Sequence, residues 1–177
     1  MDAKSQPLGK RSDYSAGRGG IPEKPMSHNH SHTSAFARLQ AVIESDPDAV
    51  DRGIGVSPEL VARAEAHLGV SFTESLKQYA SIWGTLAFGP LEYYGVVSSD
   101  FIDSRVPDGV WFTARKRREL DLPANLFVIF NNEGDEFHCV DLETDEIKVW
   151  DTAQREIVAV KAANLFEYIL EETEDFR

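Results

Sequence analysis

The sequence predicts an α+β fold, a largely antiparallel sheet with N-terminal and C-terminal helices packed on it. Three observations carry that reading. Leu126 to Phe130 is an apolar, β-branched and aromatic run of strand length. Phe137 to Leu142 and Ile147 to Trp150 follow at short intervals, with alternating faces and turn residues between them. Three successive strands on short connections form an antiparallel meander. On either side of this block the apolar residues recur at the three-to-four spacing of amphipathic helices.

The elements follow in chain order. Met1 to Ser34 is rich in Gly, Ser, Pro and His and poor in large apolar residues. Such a segment buries too little surface to offset its ordering entropy, so residues 1–34 are expected to be a disordered leader and 35–177 the folded domain. His28, His30 and His32 belong to that polar tail rather than to a metal site, because no carboxylate or cysteine completes a closed coordination set. Met26 is a possible alternative start. Phe36, Leu39, Val42 and Ile43 share one face of a short helix, Ala35 to Glu44, which Asp46-Pro47-Asp48 ends. A loop through Gly53 and Gly55 follows.

Ser57, Pro58 and Gly69 are the N-cap, first-turn and C-cap signals of a helix with Leu60, Val61, Ala64 and Leu68 as its apolar stripe. Leu76, Tyr79, Ala80 and Trp83 mark the next helix, Thr73 to Trp83, stopped by Gly84. Phe88 to Val97 reads as a turn and a strand, with Gly and Pro pointing to an edge or bulge. Val110 to Phe112 reads as a short strand, and Thr113 as the cap of a helix to Leu120. Asn131-Asn132-Glu133-Gly134-Asp135 is turn chemistry, since Asn and Gly accept positive φ. Ile157 to Val160 is a further strand. Asn164 then caps a last helix with Glu167 at the capping-box position, and Leu165, Phe166, Ile169 and Leu170 form its buried face.

At 177 residues, 42% hydrophobic and 27% charged, the chain suits one domain plus a tail. The N-terminus lacks the apolar centre of a secretory signal, and no run reaches the length of a membrane helix, so a cytoplasmic protein without membrane contact is expected. Cys139 is the single cysteine and excludes an intrachain disulfide. The formal net charge is −12, with the acidic excess concentrated from Asn131 to the C-terminus. That sign argues against direct nucleic-acid contact and for a basic partner steered by an acidic face. The one dense basic cluster, Arg115-Lys116-Arg117-Arg118, points around a helix and makes no single stripe, so it is expected to be solvated and balanced by neighbouring acids.

Catalytic patterns are missing. There is no phosphate-binding loop, dinucleotide glycine pattern, nucleophile elbow or His-Glu-x-x-His, so the chain is read as a non-enzyme without metal or cofactor. His138 and Cys139 are strand neighbours and point to opposite faces, which disqualifies them as a base and nucleophile pair. Glu133, Asp135 and Glu136 lack the spacing of a calcium loop.

Three segments resemble the SUKH superfamily, the group of yeast cell-wall-assembly regulators and their bacterial relatives. The first is Ala64 to Tyr79, a helix, a Leu68-Gly69 break and a second helix. The second is Trp83-Gly84-Thr85-Leu86-Ala87-Phe88-Gly89 running into Leu91-Glu92-Tyr93-Tyr94-Gly95. The third runs from Leu122-Pro123 through Gly134-Asp135 to Val140-Asp141-Leu142, with Trp150-Asp151 after it. The likeness covers about Gly53 to Glu172. Thr73 departs from the family's usual Pro, and Trp83-Gly84-Thr85 from its usual Asn-Gly-Gly. The resemblance implies helices on an antiparallel sheet. It also implies the role of an immunity protein that binds and neutralises a toxin domain, often a nuclease; the alternatives are a cell-wall-assembly scaffold or regulator and a small enzyme using Cys139, His138 and the local carboxylates. The candidate toxin-binding residues are Glu133, Asp135, Glu136, Glu143, Asp145 and Glu146. The Glu133–Glu136 turn is favoured, because Gly134 lets a partner approach the backbone.

Overall fold

The computed structural model describes residues 28–176. The elements are α1 (His28–Ser45), β1 (Val50–Arg52), α2 (Pro58–Leu68), α3 (Glu74–Ile82), β2 (Leu86–Phe88), β3 (Leu91–Tyr93), α4 (Gly109–Leu120), β4 (Leu126–Asn132), β5 (Glu136–Asp141), β6 (Ile147–Asp151), β7 (Glu156–Ala162) and α5 (Leu165–Phe176). The strands form two antiparallel sheets, β1-β2-β3 and the meander β4-β5-β6-β7. The expected α+β architecture is therefore present, with its strands divided between two sheets rather than gathered in one.

Local chemistry sets most boundaries where the sequence puts them. The Ser57 hydroxyl accepts from the Leu60 N–H, Pro58 occupies the first turn, and Gly69 ends α2 at φ 68°. Thr73 caps α3 through the Leu76 N–H. The Asn164 side chain accepts from the Phe166 and Glu167 N–H groups and opens α5. Three expectations need correction. Helix α1 begins at His28, seven residues before Ala35, while the leader through residue 27 and the three histidine side chains lie outside the described part. The expected loop before Gly53 contains strand β1, whose three residues pair with β2. Val110 to Phe112 is not a strand. The Asp108 side chain accepts from the Val110 and Trp111 N–H groups, so the helix starts one turn earlier than Thr113. Thr113 is buried, and its hydroxyl instead accepts from Val128 N–H at 3.0 Å, tying α4 to β4. The apolar triplet misleads because it is the buried face of that first turn.

The meander is buried on both faces along β4, β5 and most of β6. Phe127, Ile129, Val140 and Ile147 join the main core with α1, α2, α3 and α5. Leu126, Val128, Phe137, Cys139 and Trp150 form a second core with Phe112 of α4. The odd–even division read from the sequence around residues 137–142 is the division between these two cores. A bulge between Val128 and Phe130 leaves Ile129 as the extra residue, and its carbonyl accepts from Tyr94 N–H at 2.7 Å, linking the two sheets.

Two glycines of the family-like segments close that junction. A Cβ on Gly95 would lie 1.9 Å from the Gly84 carbonyl oxygen, and Gly84 itself has φ 71° with the Ile54 carbonyl oxygen 2.6 Å from where its Cβ would be. Gly95 also accepts from Gly109 N–H at 2.8 Å and donates to Pro107 at 3.2 Å. The backbones of α3's end, β3's end and α4's start meet too closely for any side chain.

Candidate functional site

The meander displays its acidic residues at its turns. After β4, the Asn131 side-chain oxygen accepts from Gly134 N–H at 3.0 Å, and the chain reverses through Glu133 at φ 52° and Gly134 at φ 93°. Thr152, in the β6–β7 turn, fixes this tip. Its N–H donates to the Asp135 carbonyl, and its hydroxyl lies 3.0 Å from the Gly134 and Asp135 carbonyl oxygens. Glu133, Gly134 and Asp135 are exposed, and a Cβ on Gly134 would meet nothing within 4 Å. Among the described residues no ion pair engages Glu133 or Asp135. Glu136 is half-buried, with its carboxylate 4.0 Å from His138 Nε2.

The second acidic turn lies at the other end of β5 and is built differently. The Ser75 hydroxyl of α3 donates to Asp145 at 2.5 Å. Thr144 donates to Glu146 at 3.1 Å, and Lys148 lies 3.7 Å from the same carboxylate. Lys148 also pairs with Asp141, which accepts in addition from Asn125 and from Glu143 N–H. Burial alone would raise the Asp141 pKa. The Lys148, Glu143 and Asn125 hydrogen bonds outweigh it and hold the carboxylate below its ordinary value. Of this turn's candidates, Glu143 is exposed, while Asp145 and Glu146 are partly buried and bonded within the fold. The structure therefore separates the six candidates into an uncompensated group, Glu133 and Asp135 with Glu136 beside them, and a largely compensated one. Sequence reasoning missed Ser75 and Thr152, which brace the two turns from distant elements. Only their hydroxyl chemistry hinted at such a role.

Two aspartates of the family-like third segment, Asp141 and Asp151, build the turns that follow them. Asp145 N–H donates to the Asp141 carbonyl at 2.8 Å, with Asp145 at φ 68°. Arg155 N–H donates to the Asp151 carbonyl at 2.9 Å, with Arg155 at φ 57°. Each aspartate side chain also accepts from the N–H two residues on.

His138 and Cys139 lie on opposite sides of the sheet. His138 is 4% exposed, shares a 2.5 Å hydrogen bond with the Tyr168 hydroxyl and packs on Phe130. Burial, reinforced by Lys161, pushes its pKa down against the pull of Glu172 and Glu136. Cys139 is fully buried beside Trp150 and Phe137, and burial pushes its thiol far up, away from the reactive thiolate. The basic cluster is less solvated than expected. Arg117 donates to the carbonyls of Leu68, Ala124 and Leu126, pinning α4 to α2 and β4. Lys116 sits over the Phe112 and Phe137 rings, and Arg115 over Trp111, while both pair with Glu119.

Surface grooves of about 450 and 520 Å³ flank β1, lined by Arg52, Gly53, Ile82 and Trp83 and by Asp48, Asp51, Pro90 and Glu92 respectively. Neither borders the acidic turns. Among the described residues no three His, Cys, Asp or Glu side chains are placed to hold a metal, and no helix is long and apolar enough to cross a membrane.

The family model SUKH_5, described as SMI1-KNR4 cell-wall, matches residues 34–174. No curated protein matches the chain. A crystal structure of a protein from Pseudomonas syringae pv. tomato is similar in fold, with a TM-score of 0.53 at 15% identity, over 67% of this chain and 86% of that one.

Proposed function

The chain belongs to the SUKH_5 family, described as SMI1-KNR4 cell-wall, and from that premise we propose that it is an immunity protein that neutralises a basic toxin domain by occupying its charged cleft. The observation that carries this reading is the Glu133–Glu136 tip: two exposed carboxylates without an ion-pair partner among the described residues, on a turn braced by Thr152. A nuclease domain must present cationic groups to a polyanion, and a braced acidic tip on a chain of net charge −12 is complementary to them. The reading includes no catalysis. His138 and Cys139 are buried on opposite faces and serve packing. A second reading, a cytoplasmic regulator or scaffold of cell-wall assembly, is favoured by the family's own description.

The test is charge reversal, Asp135→Lys with Glu136→Lys, measured by binding kinetics against a toxin domain encoded beside this gene. The expected result is an association rate lower by about tenfold or more at low salt, with the difference shrinking as salt screens the exposed charges. Glu143→Lys, at the other turn, should change the rate less. A folded double variant that binds as fast and as tightly as the unaltered chain at low salt would remove this turn as the docking site.

A further inference from the structure

Among the described residues, strand β7 is the outer edge of the meander and is hydrogen-bonded to β6 alone. Its six residues Glu156 to Lys161 are all exposed, including Ile157 at 43%, Val158 at 43% and Val160 at 58%. Natural sheets place charge at the centre of a free edge or cover it. Here the centre, Ile157-Val158-Ala159-Val160, is uncharged and the charges flank it. An uncovered edge of this kind presents the backbone N–H and C=O groups that β6 does not use, beside apolar side chains.

The order of residues along the edge points to what covers it. We propose that a second copy of this chain pairs antiparallel with β7, joining two meanders into one eight-stranded sheet about a two-fold axis between Val158 and Ala159. In that register Glu156 faces the second copy's Lys161, and Ile157 faces its Val160. The two-fold repeats both pairs, so the contact has opposite charges at each end and branched apolar pairs inside them. The side-chain faces agree. Glu156 lies opposite Asp151 in the sheet, and Lys161 reaches Glu172 of α5, placing both on the α5 side. Ile157 lies opposite Trp150, and Val160 opposite Lys148, placing both on the other side. One bulge in the β6–β7 pairing, at Val158, restores this agreement by shifting the alternation in mid-strand. A contact that uses the same edge on both copies closes on itself and does not propagate into fibres. It also leaves the Glu133–Glu136 tip, at the β4–β5 turn, off the shared edge.

Sedimentation equilibrium of the full chain from micromolar to about 100 μM tests the proposal, with cross-strand charge changes as the probe. The unaltered chain is expected to reach twice its 19.8 kDa mass. Glu156→Lys alone places like charges at both ends of the interface, as does Lys161→Glu alone, and each should weaken dimerisation by about tenfold or more. Mixing the two variants sets the introduced lysine of one chain opposite the introduced glutamate of the other. At the far end the native Lys161 of the first then faces the native Glu156 of the second, so a heterodimer should be restored. That rescue distinguishes the intermolecular register from loss of the internal Lys161–Glu172 pair. Val158→Lys, at an exposed position, should give a monomer with an unchanged urea midpoint. A chain that stays monomeric at 100 μM, or single variants that dimerise as strongly as the unaltered chain, would overturn the proposal.

Discussion

Replacing Gly95 with Ala tests whether the backbone junction between the two sheets is the fold's steric keystone. The added Cβ would sit 1.9 Å from the Gly84 carbonyl oxygen and 2.9 Å from Tyr79 Cε1, closer than such contacts occur. Relief requires a movement of more than 1 Å in one of three packed backbones. Gly84 cannot yield freely, because its own Cβ position is 2.6 Å from the Ile54 oxygen. Gly95 can yield only by stretching its bonds to Gly109 and Pro107. Overpacking costs about 1–3 kcal/mol and two weakened buried hydrogen bonds roughly 1 kcal/mol each, so the variant should lose about 3–5 kcal/mol. Against a typical domain stability of about 5–15 kcal/mol, that is a large share. With an m-value of about 2 kcal/mol per M, the urea midpoint followed by circular dichroism should fall by about 2 M. Gly69→Ala is the control. Gly69 has φ 68° but nothing within 4 Å of its Cβ position, so only backbone strain of about 1 kcal/mol applies. A Gly95→Ala midpoint no lower than that of Gly69→Ala would refute the steric account.

Two further outcomes follow from the buried polar and thiol groups. Asp141→Asn leaves Lys148, 18% exposed, without its main partner, and should cost about 2–3 kcal/mol, below the range for a fully buried pair. Because the Asp141 carboxyl is held below its ordinary 3.8, its contribution is present above that value and is lost as pH falls through the lowered one. Urea melts of both proteins should therefore converge in strong acid, and a gap that persists there would contradict the assignment. Cys139, fully buried with its thiol pushed up, should resist an aromatic disulfide reagent in the native state and react at once in denaturant. Fast native labelling would show that the second core opens.

Much of this architecture was legible in the sequence, because caps and alternation are local. Ser57 and Asn164 act on N–H groups two or three residues away, and the alternation of residues 137–142 survives folding unchanged. The errors have non-local causes. Val110 to Phe112 is as apolar as a strand because α4 lies over the second core, and Asp108, not Thr113, carries the cap. Strand β1 is three residues long and exists only because β2 lies beside it. Arg117 looked solvated because its acceptors, Leu68, Ala124 and Leu126, come from α2, the loop before β4 and β4 itself. The six acidic candidates were visible as charges. Which of them the fold compensates depended on Ser75, some 70 residues away from Asp145 along the chain.

The burial of β5 bears on where function can reside. Phe137 to Asp141 are all buried, with helices α1 and α5 contributing to the core on one side and α4 on the other. A strand covered on both faces offers no surface to a substrate, and its side chains fill the two cores. The open parts of the meander are its turns and its outer edge, which form its rim. The rim differs energetically from the strands. Exchanging Glu133 or Asp135 disturbs no ion pair found among the described residues, and exposed substitutions away from such features usually stay within about 0.5 kcal/mol. Exchanging a core residue such as Trp150 costs several times as much, about 3–5 kcal/mol for truncation to Ala. Under the immunity role proposed above, the choice of toxin would vary at the tip while the sheet stays fixed. Recognition placed on a braced turn costs little stability to vary and little entropy to present, because Thr152 and Asn131 already hold the backbone in place.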